Sequence, residues 1–383
     1  MGPWLGRGFG NPSGSHSVAR AARKAIEEAR DSVAESLGAS PGNVVFTGGG
    51  TESDNLAVLG RAWAVPGPLV VSAIEHHAVL HAALAAERFA GVPVRTVACG
   101  RDGVVDLQAL YSALGESVSL VSVQLVNNEV GTLQPLAEIA RIVRRRAPRA
   151  ALHTDAVQAV PWYDVAQLAG AADLVSVSAH KFGGPQGVGA LALLRPVELE
   201  PLLYGGPQER ERRAGTHNVA GIVGMAAALE ATSRQRDTIC RRVCALRDKL
   251  LAGLLAGTTS AHETAPGQEK APGHCHVLID GVESEALLVL LDAYGVCASA
   301  GSACASGAME PSHVLRAMGY SAEQALGALR LTLGPTSTDA DVELALRAVP
   351  AAISQLRGFP APRSGAPAPP PGVPAPRSEV VAQ

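Results

Sequence analysis

Through the first two thirds of the chain, short and nearly continuous apolar runs alternate with longer stretches in which apolar residues recur every three or four positions. The runs are NVVF, LVVSAI, VRTVA, SLVSVQLV, ALHTDA, LVSVSA and GALALL, each bounded by turn residues. Strands apolar on both sides belong to a sheet with helices over both faces, and amphipathic segments such as AARKAIEEARDSVAESLG and PLAEIARIVRRRA supply those helices. The pattern predicts an α/β domain on a mostly parallel sheet. From about Ile222 a long helical pattern leads into a region where CHVLID, GVCAS and ALRLTL, read as strands, alternate with SEALLVLLDAY and DADVELALRAVPAAISQLR, read as helices. That is the pattern of a smaller α+β domain. After Phe359 proline and alanine dominate, and such a composition builds no core, so an extended or disordered tail is expected. The expected division is an N-terminal segment at 1–15, a large domain at 16–235, a small domain at 236–358 and a tail at 359–383.

Composition narrows the class of protein. With 383 residues, 47% of them hydrophobic, the chain has material for two cores. A net charge of -3 argues against a nucleic-acid or anionic-membrane partner, since either needs a basic face. The basic run Arg144, Arg145 and Arg146 reads as a solvated helix end. No apolar segment approaches the roughly 20 residues that span a bilayer, and no leader pattern opens the chain, so a cytoplasmic location is expected. The 6 cysteines form no CxxC pair and are expected as reduced thiols. Cys240 and Cys244 lie one helical turn apart on an arginine-rich segment and make a poor metal site. Strand alternation sends His274 and His276 to the face opposite Cys275, which disfavours a metal there too.

Candidate chemistry lies where strands end. SVSAHKFGGPQGVG puts Lys181 between a strand and a glycine run, VVFTGGGTESDNLAVLG is a strand, a glycine turn and a helix beginning near Thr51, and ALHTDAVQAV ends a strand at Asp155. A glycine turn feeding a helix start makes a phosphate cradle, by itself a weak signal, and the lack of GK[ST] argues against a nucleoside-triphosphate loop. Polar residues at the carboxyl ends of strands in an α/β sheet face the ligand crevice. A lysine for a Schiff base, an aspartate for a pyridine nitrogen and a phosphate cradle are together what pyridoxal phosphate requires. Singly, Lys181 reads equally as a surface charge and Asp155 as a helix cap.

The motifs GNPSGSH, FTGGGTESDNLA, EHHAVL, NNEVGTLQP, HTDAVQ, SAHKFGGPQGVGAL, RRAGTHN and SAGSACASGAMEPSHVLRAMG, in this order, resemble the fold-type-I pyridoxal-phosphate enzymes of the cysteine desulfurase group from Gly10 to about Leu356. The resemblance implies a mostly parallel seven-stranded sheet between helices, a smaller C-terminal domain, and removal of sulfur from L-cysteine to give alanine and an enzyme persulfide. It further implies that Lys181 holds the cofactor and moves the substrate's Cα proton, that Asp155 meets the ring nitrogen, and that Asn128 and Gln158 lie by the ring oxygen. His76 would stack on the ring and act as acid or base; Gly50, Thr51, Ser178 and His180 would bind the phosphate. Thr216 would reach the phosphate of a neighbouring subunit, so a homodimer is expected. Arg330, with Asn128 and Asn11, would take the substrate; the residues alone favour a buried arginine paired within the protein at 330. Cys304, in a stretch of alanine, serine and glycine, would be the mobile nucleophile that passes sulfur to an acceptor protein, an iron-sulfur scaffold or a tRNA-thiolation carrier. Cys297 reads instead as a buried structural thiol.

The chain departs from that pattern in places. The strand and AATTP-like segment that precede GNPS in the family are not seen, and residues 2–9 read as the end of the helix that follows them, which leads to the expectation of a longer gene product. Pro207 and Glu211 stand where relatives have glycine. Two other readings share these residues: a selenocysteine lyase, with the same cofactor chemistry, and a catalytically impaired paralogue acting as a scaffold.

Overall fold

The structure, a computed structural model, describes residues 1–6, 8–301 and 311–358. Cys304 and the 359–383 tail therefore lie outside the described residues. The chain packs as two units: Met1–Gly100, Val104–Asn127 and Leu133–Asp237 form the first, and Arg101–Gly103, Asn128–Thr132 and the residues from Thr238 on form the second.

In the first unit all seven apolar runs are strands: β1 (Val44–Thr47), β2 (Leu69–Ser72), β3 (Val94–Val97), β4 (Leu120–Ser122), β5 (Ala151–Asp155), β6 (Leu174–Ser178) and β7 (Gly189–Leu193). They form one sheet in the order β1-β7-β6-β5-β4-β2-β3. Neighbours from β6 to β3 run parallel, and β7 is antiparallel to both β6 and β1. The reversal has a cause in chain length, because the β6–β7 connection is too short for a crossover helix and can only return antiparallel. Around the sheet lie α1 (Gly2–Leu5), α2 (Ser17–Leu37), α3 (Gly50–Ala64), α4 (His77–Ala90), α5 (Leu107–Ala113), α6 (Leu136–Arg146) and α7 (Val165–Leu168). Val45, Leu69, Val71, Leu120, Leu174 and Leu191 make a core with Leu56 and Ala57 of α3 and Val79, Ala82 and Ala86 of α4. Along this face the strands become polar toward their carboxyl ends, where Ser122, His153, Asp155, Ser176 and Ser178 replace the aliphatics while staying buried. Burial against α3 continues under the strand ends, so a site there has a dry floor.

Two arginines at the end of α6 are more than a solvated cap. Arg144 pairs with Asp173 at 2.6 Å, and the Arg146 guanidinium lies 4.5 Å from the centre of the Tyr111 ring.

The unit boundary falls inside α8 (Val219–Gly257). In the second unit β8 (Ala261–Glu263), β9 (His274–Ile279) and β10 (Ala328–Thr332) form an antiparallel sheet in the order β10-β9-β8. With them are α9 (Ser284–Ala293), α10 (His313–Ala317), α11 (Ala322–Leu326) and α12 (Asp339–Leu356). The core joins Leu246, Leu250, Leu254, Val277, Leu291 and Leu329 with Val342 and Val349 of α12. Cys275 faces this core, and His276 on the other face bonds Thr264 at 2.8 Å, as alternation requires.

GVCAS, expected as a strand, is not one. This segment makes a single bridge, Ser299 to Arg330, in place of a strand. Val296 takes the buried position, so Cys297 points outward and is exposed, contrary to its reading as a buried structural thiol. Among the described residues no helix is long and apolar enough to cross a membrane.

Candidate active site

The candidate residues fall in both units, and each half is built by its own elements. In the first, β6 ends at Ser178 and the chain enters a tight turn, Ala179–Phe182, closed by Gly183 at φ 81°. Lys181 rides on this turn. A Cβ at Gly184 would lie 2.9 Å from the Ala179 side chain, so the turn can be this tight only with glycine there. Ser178 Oγ and His180 Nδ1 are 2.9 Å apart. Burial and the Lys181 charge both push the His180 imidazole below its usual range, which leaves it neutral.

On the adjoining strand Asp155 is buried. Its Oδ1 accepts the Val157 N–H at 2.8 Å. Burial raises its carboxyl to about 6, against the Val157 hydrogen bond and the Lys181 charge, both of which lower it. Lys181 and Asp155, 26 positions apart in sequence, thus act on each other electrostatically at neighbouring strand ends, with Gln158 half-buried in the loop after β5.

The third part is the turn from β1 into α3. Gly49 has φ 149°, and a Cβ on Gly50 would sit 2.8 Å from Val157 and 3.3 Å from Ser178. The turn therefore passes directly against the Asp155 and Ser178 strand ends. Glu52 stiffens it by accepting the Gly48 N–H at 2.7 Å. Thr51 is exposed in the first turn of α3, and the Asn55 amide bridges its carbonyl to that of Ala78 in α4. His76 caps α4, its Nδ1 accepting the Ala78 N–H at 3.1 Å.

The fit to pyridoxal phosphate can be judged on this geometry. A helix start reached by glycines, with a serine hydroxyl and a neutral imidazole beside it, suits a phosphate. A buried carboxylate accepting few hydrogen bonds suits a protonated pyridine nitrogen, and a lysine on the turn between them suits the carbonyl carbon.

Thr216 is exposed on the 205–218 loop, which is tied to α3 by Arg213, whose Nε donates to Glu52 at 2.7 Å. Asn11 is exposed, and its Oδ1 accepts the Ser13 N–H at 3.0 Å. In the second unit Arg330 on β10 is half-buried and donates to the Asn128 carbonyl at 2.7 Å. Glu129 lies in its field, as does His276, its cross-strand partner.

Beneath these groups lies a layer that the motifs do not mark: Asp54, Glu75, Ser122, His153 and Ser176, all buried. One signal was available. His153 precedes Asp155 by two positions and so shares its strand face.

The aminotransferase class-V family model matches residues 1–345. An IscS-like cysteine desulfurase of Mycobacterium tuberculosis is 43% identical over 369 residues, 94% of this chain and 93% of that protein. Among solved structures, a NifS-like protein superposes with a TM-score of 0.86 at 33% identity, covering 92% of this chain and 94% of its own. Another, SspA in complex with cysteine, has a TM-score of 0.74 at 31% identity and covers 88% of this chain and 94% of its own.

Proposed function

The chain belongs to the aminotransferase class-V family, and we propose that it is a pyridoxal-phosphate-dependent cysteine desulfurase that converts L-cysteine to alanine and leaves the sulfur on Cys304. The observation that carries this reading is the meeting of Lys181 and Asp155 beside the glycine turn at the sheet's carboxyl edge. When bound, the cofactor takes up the electron pair left as a bond to the substrate's Cα breaks.

The protein's own groups do the rest. Gly50, Thr51, Ser178 and His180 hold the phosphate, Asp155 presents its carboxylate to the ring nitrogen, Asn128 and Gln158 serve the ring oxygen, and His76 covers the ring. Lys181 holds the cofactor and then carries the Cα proton. Arg330 takes the substrate carboxylate in a two-point hydrogen bond, assisted by Asn128 and Asn11. The Cys304 thiolate attacks the substrate sulfur; an S–S bond forms as the C–S bond breaks, and the carbon fragment takes up a proton to become alanine. Exposed Thr216 fits a role on a neighbouring subunit's phosphate, hence a homodimer. The persulfide passes to an acceptor protein in iron-sulfur assembly or tRNA thiolation, which places the work in the cytoplasm.

Borohydride reduction of the cofactor-loaded protein, followed by peptide mass spectrometry, tests the first half. Label on Lys181 is expected, and label on another lysine or on none overturns the assignment. Cys304→Ala should keep cofactor uptake and lose alanine formation; alanine at the wild-type rate would move the nucleophile elsewhere.

A further inference from the structure

Beneath the strand ends of the first unit lies a sealed polar layer. Ser122 stands opposite His153 across the β4–β5 pair, and Asp155 opposite Ser176 across β5–β6. Asp54 reaches into this layer from α3. Asp155 is 7% exposed and the others 2% or less. The His153 ring sits between two hydroxyls, with Nδ1 at 2.8 Å from Ser122 Oγ and Nε2 at 2.9 Å from Ser176 Oγ. The Ser176 hydroxyl also lies beside the Asp54 carboxyl. Asp54 Oδ1 is 3.6 Å from His153 Nε2, beyond hydrogen-bond reach, and has no hydrogen-bond partner among the described residues.

Two buried carboxyls so close cannot both be ionised without strong repulsion, so the donors around each decide which keeps a proton. Asp155 receives an N–H and faces the Lys181 ammonium. Asp54 faces a hydroxyl and an imidazole that burial keeps neutral, its pKa pushed down to about 3. An anion at Asp54 would be desolvated with almost nothing to satisfy it. The remaining carboxyl in its field, Glu75 after β2, accepts from the Ser72 hydroxyl at 2.8 Å and the Gln124 N–H at 2.7 Å.

We propose that Asp54 is a positioning residue that keeps its proton, so that Asp155 stands as the anion of this layer and the proton order of the whole chain of groups is fixed. The Asp54 O–H donates to Ser176, the Ser176 O–H donates to His153 Nε2, and His153 Nδ1–H donates to Ser122. In this order Asp54, Ser176 and His153 each donate once along the chain, and Asp54 Oδ1 stays without a donor. If Asp54 were ionised the order would reverse: Ser176 would donate to Asp54, and His153 would carry its proton on Nε2. Burial pushes the Asp54 carboxyl far above the carboxylate range, with the Asp155 charge reinforcing the shift. Burial also raises Glu75, to about 8, so at neutral pH Asp155, at about 6, is left as the anion.

The role given to Asp54 rests on the cofactor reading above, but its proton can be read without cofactor. In the apo-protein labelled with 15N-histidine, with the His153 signal identified by its loss in His153→Gln, the expected tautomer at neutral pH is Nδ1–H. An Nε2–H tautomer overturns the proposal. With 13C-aspartate, one carboxyl is expected to stay protonated at neutral pH in wild type and to be absent from Asp54→Asn; its persistence in that variant overturns the assignment. Asparagine replaces a neutral acid with a neutral amide of the same shape, so the Asp155 midpoint should stay near its wild-type position and pyridoxal phosphate affinity within about threefold. A fall of the midpoint by about one pH unit, or a roughly tenfold loss of affinity, would show that Asp54 acts as an anion. Failure of the cofactor reading looks different: wild type would take up no pyridoxal phosphate, which ends the positioning role and leaves the tautomer as found. If Asp54→Asn does not fold, the wild-type tautomer still decides.

Discussion

Two loops of the first unit hold strained backbone by opposite means. The turn after β1 reaches a left-handed conformation at Gly49, φ 149°, where the residue type removes the cost. On the 205–218 loop, Glu209, Arg210 and Glu211 take φ of 50°, 56° and 66° in succession, none of them glycine. Each such residue costs roughly 1–2 kcal/mol. What holds them is an anchor: the buried Glu209 carboxylate receives both ends of the Arg30 guanidinium at 2.8 Å, the Phe46 N–H at 3.0 Å and a 2.7 Å bond with His217 Nε2. One loop is relaxed in sequence, the other is clamped by tertiary contacts. The clamped loop carries Thr216, whose proposed target is on another subunit, so rigidity there serves presentation.

Removing the clamp gives the largest expected effect. Arg30→Ala would leave the Glu209 carboxylate buried without its cation, which costs about 3–5 kcal/mol. Urea unfolding monitored by circular dichroism should show that loss. A change under about 1 kcal/mol, the scale of an exposed ion pair, would mean that the loop is held by something else.

Acid should open the same clamp. Burial pushes the Glu209 carboxyl up, but hydrogen bonds from Arg30 and His217, the Arg30 charge and the Phe46 N–H outweigh it and hold the pKa at about 2. The folded value lies below the unfolded 4.5. Its stabilisation is therefore fully present above pH 4.5 and is lost as pH falls through about 2, on the order of 3 kcal/mol in all. Glu209→Gln should flatten this part of the stability–pH curve; an unchanged slope would put the titrating group elsewhere.

The relaxed loop has its own weak point. A Cβ on Gly189 would lie 2.7 Å from the Gly49 carbonyl carbon and 2.7 Å from the Val177 oxygen, both backbone atoms that cannot rotate away. Gly189→Ala should cost about 1–3 kcal/mol. Because the displaced atoms belong to the proposed phosphate cradle, pyridoxal phosphate affinity should fall with it, whereas Arg30→Ala should spare affinity in whatever fraction stays folded.

The contrast also shows what a sequence makes legible. All seven strands of the large sheet were readable, because a strand buried on both faces must be apolar throughout, and the placement of Lys181 and Asp155 at neighbouring strand ends followed from the same pattern. β8 was not, since Ala261, His262 and Glu263 carry no strand pattern and are ordered by pairing with β9. Asp54 was hidden for a related reason. An aspartate in an amphipathic helix reads as its solvent face, and only the polar ends of β5 and β6 make its burial possible. The Arg30–Glu209 clamp joins distant parts of the chain, a pairing that local periodicity does not encode. Glycines announce relaxed strain; clamped strain is silent.

The smallest predicted effect tests that last distinction. Glu211 is exposed at φ 66°, a conformation that favours glycine. Glu211→Gly removes the left-handed penalty of about 1–2 kcal/mol and adds about 0.4–1 kcal/mol of unfolded-chain entropy, so a net gain of about 0.5–1 kcal/mol is expected. For a protein of this size that is a rise in Tm of about 1 °C, visible by differential scanning calorimetry. Glu209→Gly relieves the same kind of strain two residues earlier, at φ 50°, yet discards the carboxylate that Arg30, Phe46 and His217 hold. Its effect should have the opposite sign and be several times larger. If both glycines stabilise, the anchor contributes little; if both destabilise, the strain at 211 is not stored in the backbone.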